Sequence, residues 1–280
     1  MNDPLSAPAI AHALGAGLRS LRLGPDIPAL GTRLEIHEAI GSTNDRADAL
    51  GLAGAPEGCA VFAETQTSGR GRGGNRWTAP PGKNLTFSLL LRPDWPVTLW
   101  PRFAHAAGLA VARAAQAWSE RVPVQLKWPN DVYAMDRKLA GILLELKGSR
   151  TSPHLIVGIG INVNSLPDEF PPDLDHTITS LRALNGGNPV DRNQLAGAIL
   201  AELTALYARS ANDFPQILEE VASRSLLLGR RIRFSQQGRW REGKLIGFGE
   251  NGEMQIELAD SPRAETIPAA ETIRLIDEFP

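Results

Sequence analysis

The hydrophobic positions of this chain follow two different spacings, and each spacing predicts a different kind of element. In some segments apolar residues recur every three or four positions, which is typical of an amphipathic helix. Elsewhere they form short runs bounded by glycine, proline or polar residues, which is typical of a strand. The helical spacing predicts helices at residues 10–23, 103–118 and 195–206. The polar segment Gly41–Asp45 has the side chains of a helix N-terminus and predicts a further helix that runs through Leu50.

The apolar runs predict strands in two groups. The first group is 34–37, 59–63, 85–91, 124–128, 139–146 and 155–161, with turns at Pro129-Asn130 and at 148–153. The run Leu85–Leu91 is almost continuously apolar, as expected of a strand covered on both faces. The second group is 231–235, 240–247, 253–258 and 272–276, where glycines and the hairpin signal Asn251-Gly252 separate short strands. We therefore predict an α+β unit, a mixed sheet with packed helices, followed by a small β-barrel.

These patterns divide the 280-residue chain into three parts. Residues 1–31 are predicted to be a helix and linker, residues 32–224 the larger unit, and residues 225–280 the small barrel. One predicted helix before residue 31 is too little for a helix-turn-helix DNA reader, which needs two helices and support.

Composition limits the class of protein. Apolar residues make up 42% of the chain, enough for a core, and the net charge of -2 argues against bulk binding to a phosphate backbone. The single cysteine, Cys59, excludes an internal disulfide and fits a reducing compartment. The N-terminus lacks a basic-then-apolar signal layout, and no apolar run approaches the ~20 residues needed to cross a bilayer. We expect a soluble, cytoplasmic protein without membrane contact.

The segment Gly69–Trp77 reads G-R-G-R-G-G-N-R-W, so arginines alternate with glycines and an indole follows. Glycine allows positive φ and lets backbone N–H groups approach a ligand. Arginine has a forked donor that matches phosphate or carboxylate, and the Trp ring offers a flat face for a base. The segment lacks the Walker and dinucleotide patterns. We predict a loop that wraps an anionic group.

Two simpler interpretations of this segment stay open. It could be a solvated surface loop, because runs of charged residues are common on surfaces. It could also bind single-stranded RNA in the manner of RGG segments, although the run occurs once and the chain is slightly acidic.

A second informative stretch is Lys127–Asp131, where a predicted strand ends on a proline beside an amide and a carboxylate. Asp131 has the oxygen that Mg²⁺ prefers next to phosphates. The alternative is a turn in which Asn130 and Asp131 bond to their own backbone. Further along, Lys138 stands at the start of an apolar strand, where its ammonium group could stabilise a developing negative charge or could be solvated.

Glycines also interrupt two apolar strands. Gly141 would let a ligand lie against its strand, and the run Gly158–Asn164 places further glycines inside a strand and Asn162 at its end. Glycine inside a strand costs stability, so we expect a ligand or another backbone to approach closely there. An amide such as that of Asn162 could pair with an adenine edge. No spacing suggests bound zinc or a Ser-His-Asp or Cys-His catalytic arrangement.

Taken together, these stretches resemble the biotin protein ligase family over about residues 32–280. The matching pieces are Ser42-Thr43-Asn44, Gln66, Gly69–Trp77, Lys127–Asp131, Arg137–Leu143 and Gly160-Ile161-Asn162. They occur in the family's order and spacing, and the whole series is more specific than any single piece. The resemblance implies a catalytic domain like that of class II synthetases and an SH3-like C-terminal barrel. It also implies a reaction in which ATP and biotin give biotinyl-5′-adenylate and pyrophosphate, followed by transfer of biotin to a lysine of a biotin carboxyl carrier protein.

The resemblance also assigns roles to individual residues. It implies that Lys138 and Arg72 are catalytic and that Asp131 binds Mg²⁺. The implied biotin-binding residues are Ser42, Thr43, Asn44, Gln66, Arg70, Gly71, Arg72, Lys138 and Gly141. The implied nucleotide-binding residues are Arg70, Arg72, Trp77, Asn130, Lys138 and Asn162.

Regulatory members of the family carry an N-terminal winged helix-turn-helix, and only about thirty residues precede the ligase core here. We therefore expect a ligase that does not bind DNA. Pairing of sheet edges is common in the family, so a homodimer is an option. The nearest rival is a lipoate ligase, whose Arg-Arg-x-Ser-Gly-Gly-Gly signature is missing from this sequence. A non-enzymatic nucleic-acid binder is the rival from another class and predicts steeply salt-dependent binding.

Overall fold

The computed structural model describes residues 4–24, 27–119, 121–169, 177–258 and 263–276. The α-helices are α1 (Ala7–Ser20), α2 (Thr43–Leu52), α3 (Phe103–Gln116), α4 (Leu181–Leu184), α5 (Arg192–Ser210) and α6 (Phe214–Ser223). The first strands are β1 (Arg33–Ile40), β2 (Cys59–Gln66), β3 (Leu85–Leu91), β4 (Gln125–Lys127), β5 (Asp131–Ala134), β6 (Arg137–Ser149) and β7 (Ser152–Ile161). The last strands are β8 (Arg231–Gln236), β9 (Arg239–Phe248), β10 (Met254–Leu258), β11 (Glu265–Ile267) and β12 (Thr272–Leu275). Short 3-10 helices occupy Arg72–Gly74, Val97–Arg102 and Pro167–Glu169.

Every helix and strand predicted from the hydrophobic pattern is present, with ends shifted by a few residues. The pattern missed α4, α6, β5 and β11. Strand β5 is only 4 residues long and follows directly on the predicted turn at Pro129-Asn130, so it offered no run to detect. Strand β6 extends three residues beyond the predicted strand because its polar end continues to pair with β7 as far as Ser149 and Ser152.

The larger sheet has the strand order β1-β2-β3-β7-β6-β5-β4. Strands β1 and β2 are parallel, because α2 connects them, and each other neighbouring pair is antiparallel. The predicted mixed sheet is therefore confirmed.

The two faces of this sheet pack against different helices. On one face Val61, Leu90 and Ile156 form a cluster with Ala47 of α2. On the other face Phe62 and its neighbours join the main core with side chains of α1, α3 and α5. All residues of β3 are buried, which confirms that this strand is covered on both faces. Cys59 belongs to the α2 face, and burial raises the pKa of its thiol.

Helix α1 is part of the larger unit's core. It lies close against α5, because glycines at the crossing leave no room for a side chain. A Cβ on Gly17 would lie 2.7 Å from the Ala201 Cβ, and one on Gly197 would lie 2.4 Å from the Ala13 Cβ. Among the described residues, no helix combines the length and the apolar character needed to span a bilayer.

The C-terminal strands form a separate antiparallel sheet of order β11-β10-β9-β8-β12 with its own apolar core. Trp128 of the larger unit inserts into that core, and its Nε1 donates to Gly252 O at 2.7 Å. The guanidinium of Arg102 donates to Asn251 Oδ1 at 3.0 and 2.8 Å. The hairpin between β9 and β10 is thus held against the larger unit.

Candidate active site

A cavity of about 310 Å³ lies where the larger sheet, the N-terminus of α2, the Gly69–Trp77 segment and one end of β12 meet. Every site residue named from the sequence lines this cavity except Asn162. Those lining residues are Ser42, Thr43, Asn44, Gln66, Arg70, Gly71, Arg72, Trp77, Asn130, Asp131, Lys138 and Gly141. Segments that are far apart in sequence therefore form one site.

One end of the cavity is a polar pocket, the head-group pocket, formed by Ser42, Thr43, Asn44 and Gln66. The first three are at most 5% exposed, and they begin α2. Gln66 Oε1 accepts hydrogen bonds from Thr43 N at 2.7 Å and from Thr43 Oγ1 at 3.1 Å. Ser88 Oγ lies 2.7 Å from Thr43 Oγ1 and 2.5 Å from Asn44 Oδ1. These bonds fix the donors and acceptors of the pocket before any ligand enters.

Two glycines of β7 leave room for side chains that form the cavity. A Cβ on Gly158 would lie 2.3 Å from Asn44 Oδ1, and one on Gly160 would lie 2.3 Å from Cε2 of Trp77. Side chains of the protein therefore occupy the space in front of these two glycines, which also line the cavity, so the approach of a ligand to them stays a prediction. Trp77 Nε1 is buried and has no hydrogen-bond partner among the described residues.

The Gly/Arg segment is a small hairpin that begins directly after β2. Gly71 N donates to Asn75 O at 2.7 Å, and Trp77 N donates to Gly69 O at 3.1 Å. A Cβ on Gly69 would lie 2.5 Å from Trp77 O, so this position excludes larger residues. Gly73 and Gly74 have φ of 61° and 82°, which confirms that the run uses positive φ. We call residues 69–77 the arginine loop.

The arginines of this loop have different partners. Arg70 binds Asp45 with both terminal nitrogens, at 2.9 and 2.5 Å, and its Nη2 is 3.5 Å from Glu145 Oε2. The hydrogen bond to Asp45 raises the pKa of Arg70, and the same bond lowers the pKa of Asp45. Arg72 instead donates from Nη1 to Asn130 Oδ1 at 3.1 Å. Arg70 and Arg72 are thus paired with other elements, while most of the run is exposed at the surface.

The other end of the cavity is cationic. Lys138 Nζ lies 2.7 Å from Asp131 Oδ1, and Gly141 faces this pair, since its Cβ would lie 3.3 Å from Lys138 Nζ. Lys127 also lines this end, and burial lowers the pKa of its ammonium group. Lys138 is thus paired with Asp131 at the cavity, while a third of its side chain stays exposed to solvent.

Asn130 connects this cationic end to the arginine loop. Its Nδ2 donates to Ile142 O at 2.5 Å, while its Oδ1 accepts from Arg72. Both side-chain groups are thus bonded to other elements. The alternative of a local turn in which this amide bonds its own backbone is wrong.

The predicted metal ligand stands alone. Among the residues that the structure describes, no group of three or more His, Cys, Asp or Glu side chains could hold a metal ion. Mg²⁺ is usually held in such sites by one or two carboxylates together with substrate phosphates and water. A single carboxylate fits that pattern, and Asp131 lines this cavity.

Asn162 is the predicted residue that does not reach the cavity lining. It is 2% exposed, and its Nδ2 lies 3.5 Å from Lys138 O at the end of β7. The structure places it beside the backbone of the lysine, not beside the open volume.

Sequence reasoning missed several lining residues. Thr86, Phe87, Leu143 and Ile159 face the cavity from the middle of strands, where they look like ordinary core positions. Residues 270–273 reach it from the second sheet. Only the strand register could reveal these positions, and no local motif marks them.

Comparison with known proteins agrees with this geometry. Residues 37–162 match the model of the Biotin/lipoate A/B protein ligase family. A biotin–[acetyl-CoA-carboxylase] ligase of Mycobacterium tuberculosis is 38% identical over 210 residues, which are 74% of this chain and 76% of that protein. The chain belongs to the biotin/lipoate A/B protein ligase family.

Further relatives within this family match most of the chain. The bifunctional ligase/repressor BirA of Bacillus subtilis is 32% identical over 239 residues, covering 85% of this chain and 73% of that protein. The structure of a biotin protein ligase from Aquifex aeolicus in complex with biotin and ATP superposes with a TM-score of 0.76 at 30% identity. It covers 88% of this chain and 100% of the other.

Proposed function

We propose that this member of the family is an ATP-dependent biotin protein ligase. It activates biotin as biotinyl-5′-AMP and then transfers biotin to a lysine of a biotin carboxyl carrier protein or domain. The observation that carries the proposal is one cavity that joins a fixed hydrogen-bonding pocket to a cationic end containing Lys138. The similar proteins named as biotin ligases, and the related structure with biotin and ATP, support it.

In the first step an oxygen of the biotin carboxylate attacks the α-phosphorus of ATP, and pyrophosphate leaves. Carboxylate and triphosphate repel each other, so cations must offset the repulsion before the atoms can meet. Lys138 would bridge the carboxylate and the α-phosphate, and Arg72 would add a second positive charge from the arginine loop. Asp131 would hold Mg²⁺, which would supply further charge neutralisation.

The remaining residues position the two substrates. Ser42, Thr43, Asn44 and Gln66 hold the biotin head group, and Gly71 and Gly141 leave space for biotin beside the loop and β6. Trp77 packs on the adenine, and Asn130 lies near the phosphates. The proposed nucleotide contact of Asn162 requires its buried side chain to become accessible. A role for Arg70 in binding either substrate requires its guanidinium to leave Asp45.

In the second step the neutral amine of the acceptor lysine attacks the acyl carbon of the adenylate. An amide bond forms, AMP leaves, and the amine proton passes to solvent. The mixed anhydride must be shielded from water until then, which is the task we assign to the arginine loop. A carrier domain bearing the acceptor lysine is therefore the protein partner.

The experiment that tests this function is mass spectrometry of a biotin carboxyl carrier domain after incubation with the chain, biotin and MgATP. We expect a mass gain of one biotinyl group on one lysine and release of pyrophosphate. Lipoate in place of biotin is the comparison arm. Pyrophosphate release with lipoate but not with biotin would overturn the proposal in favour of a lipoate ligase.

The organisation of the chain is also a proposal. We assign residues 32–224 to the ligase unit and residues 225–280 to an SH3-like barrel, with residues 1–31 leading into the former. The separate apolar cores of the two sheets support this division. Formation of a homodimer by sheet-edge pairing stays a prediction that size-exclusion chromatography can test.

A further inference from the structure

The carboxylate of Glu145 stands between the head-group pocket and the arginine loop. This residue lies on β6, and its side chain is 21% exposed. Its Oε2 accepts a hydrogen bond from Asn44 Nδ2 at 2.6 Å. The same oxygen lies 3.5 Å from Arg70 Nη2. One atom therefore contacts both a residue that holds biotin in the proposed function and a residue of the loop.

The hydrogen bond from Asn44 determines which way its amide points. A carboxylate can only accept, so the amide must turn its NH₂ group towards Glu145. The amide oxygen then faces Ser88, whose hydroxyl lies 2.5 Å away. Gly158 lies directly against the same oxygen, because its Cβ would be 2.3 Å from it. The amide is thus fixed from three sides.

The orientation of the Asn44 amide determines how the hydroxyl groups in the rest of the pocket donate and accept. The Ser88 hydroxyl has one proton and lies near both Asn44 Oδ1 and Thr43 Oγ1. Since an amide oxygen can only accept, the proton is best used towards Asn44. The Thr43 hydroxyl must then donate its own proton to Ser88 Oγ, 2.7 Å away, and Gln66 Oε1 accepts from the Thr43 backbone N–H at 2.7 Å. A continuous series of bonds therefore runs from Glu145 to Gln66.

The same series reaches the loop at its other end. A Cβ on Gly69 would lie 3.0 Å from Gln66 Nε2, so that amide group borders the first residue of the loop. Arg70, the next residue, is bound by Asp45 and Glu145. Both ends of the polar network thus contact the loop, one through a charge and one through packing.

We propose that Glu145 is a positioning residue that couples the head-group pocket to the arginine loop. Its carboxylate sets the orientation of Asn44 and, through Arg70, holds the loop in the position that covers the site. Binding of the biotin head group and retention of the adenylate therefore depend on one side chain that touches neither ligand. The inference rests on the proposed function, because it names a further residue for the same reaction.

The test uses the full chain and two measurements. Calorimetry with biotin alone gives the dissociation constant of the head group, and a chase of preformed biotinyl-5′-AMP gives its release rate. Glu145→Gln removes the charge and frees the amide orientation while keeping the size of the side chain. We expect the dissociation constant and the release rate each to rise about tenfold, the effect of one hydrogen bond to a charged group.

Two controls separate this role from a general loss of structure. Glu202→Gln is the matched change, because Glu202 is 16% exposed and paired with Arg113 at 3.0 Å outside the cavity lining. It should change the dissociation constant for biotin and the release rate of the adenylate by less than about twofold, the usual scatter of a neutral change. Asp45→Asn removes the bidentate partner of Arg70 but not the contact to Asn44. It should speed adenylate release while biotin binding stays near the wild-type value.

A double-mutant cycle then tests the coupling itself. Arg70→Gln and Glu145→Gln should together speed adenylate release no more than the stronger single change, because both remove the same link between Arg70 and Glu145. If the effects of the two single changes on the release rate multiply in the double variant, the proposed coupling is wrong. Unchanged biotin affinity in Glu145→Gln, with a wild-type chain that does bind biotin and release pyrophosphate, would overturn the proposal and leave the ligase function intact. A wild-type chain that binds no biotin would instead overturn the function.

If Glu145→Gln does not fold, Glu145→Asp answers the same question. It keeps the charge but shortens the side chain by one methylene, which lengthens the contact to Asn44. We expect weaker biotin binding with a thermal midpoint near that of the wild type. Wild-type affinity in this variant would contradict the role of Glu145.

Discussion

The ammonium group of Lys138 lies 2.7 Å from Asp131 Oδ1 at the cationic end of the cavity. This pair holds the lysine at a defined place with its charge partly balanced. A carboxylate–phosphate pair entering the cavity would compete with Asp131 for the same ammonium group. The strength of this ion pair is modest, because the Lys138 side chain is 33% exposed.

Replacement of Lys138 by alanine should impair chemistry far more than folding. Removal of one group that stabilises developing charge typically costs about 10²–10³ in rate, so we expect pyrophosphate exchange to fall by that factor. The thermal midpoint should fall by no more than about 4 °C, since a partly exposed ion pair is worth up to about 1 kcal/mol. Comparable losses of stability and activity would contradict the role.

The matched control for this variant is Lys83→Ala. Lys83 has a similar exposure of 28%, is paired with Glu169 and does not line the cavity. Its removal should change pyrophosphate exchange by less than about twofold, in line with surface substitutions away from special features.

Substitution of each of the two β7 glycines should weaken the binding of a different substrate. Gly158→Ala would displace Asn44, and Gly160→Ala would displace Trp77, since each added Cβ lies 2.3 Å from the side chain concerned. We expect Gly158→Ala to raise the dissociation constant for biotin and Gly160→Ala to raise that for ATP, each by about tenfold or more. Calorimetry with each ligand measures both, and each variant is the control for the other. If both variants weaken the binding of both ligands equally, the substitutions distort the sheet in general.

These glycines also show what the sequence can and cannot reveal. The unusual glycines in an apolar strand marked a close approach, but Trp77 and Gly160 are far apart in sequence. The tertiary fold brings them together, so that a Cβ on Gly160 would lie 2.3 Å from Cε2 of Trp77. Glycines in an apolar strand therefore indicate that another group needs space there. Which group fills that space depends on the tertiary fold.

The same reasoning applies to the acidic side chains of the site. The arginine loop and Lys138 were recognised because cations in glycine-rich or strand-edge contexts are unusual. Asp45 and Glu145 were missed, because a carboxylate in a first helical turn or on a strand is ordinary. Their importance follows from partners on other elements, which a single sequence does not record. The two-part fold, by contrast, was predictable from hydrophobic spacing alone.

Arg72→Gly should let the adenylate escape. Arg72 is tied to the floor of the cavity through Asn130, at 3.1 Å, so the variant loses both a charge and an anchor of the loop. The release rate of biotinyl-5′-AMP should rise about 10–100-fold, as expected for loss of one hydrogen bond to a charged group. The release rate of Arg72→Lys should lie between those of the wild type and Arg72→Gly, because lysine keeps the charge but not the forked geometry. An unchanged release rate in the glycine variant would remove the loop from the mechanism.

The contact between the two units should make the protein sensitive to acid through His105. This residue of α3 packs on the β9–β10 hairpin, where a Cβ on Gly252 would lie 2.2 Å from its Nε2. Burial lowers the pKa of His105 from 6.5 to about 4, against the opposing influence of Glu253. Between these two values the unfolded chain binds a proton here and the folded chain does not. The contribution of neutral His105 to the free energy of unfolding is therefore fully present above pH 6.5 and is lost as the pH falls towards 4.

The expected size of this effect at pH 5 is about 2 kcal/mol less stability than at pH 7, from the 1.36 kcal/mol that corresponds to each pKa unit. His105→Gln should remove that part of the pH dependence, so its free energy of unfolding should fall less between pH 7 and pH 5 than that of the wild type. Urea denaturation at the two pH values measures the difference, and the same substitution at His12, exposed on α1, is the control. Parallel pH dependences in wild type and His105→Gln would show that His105 is protonated at the same pH in the folded and unfolded chains.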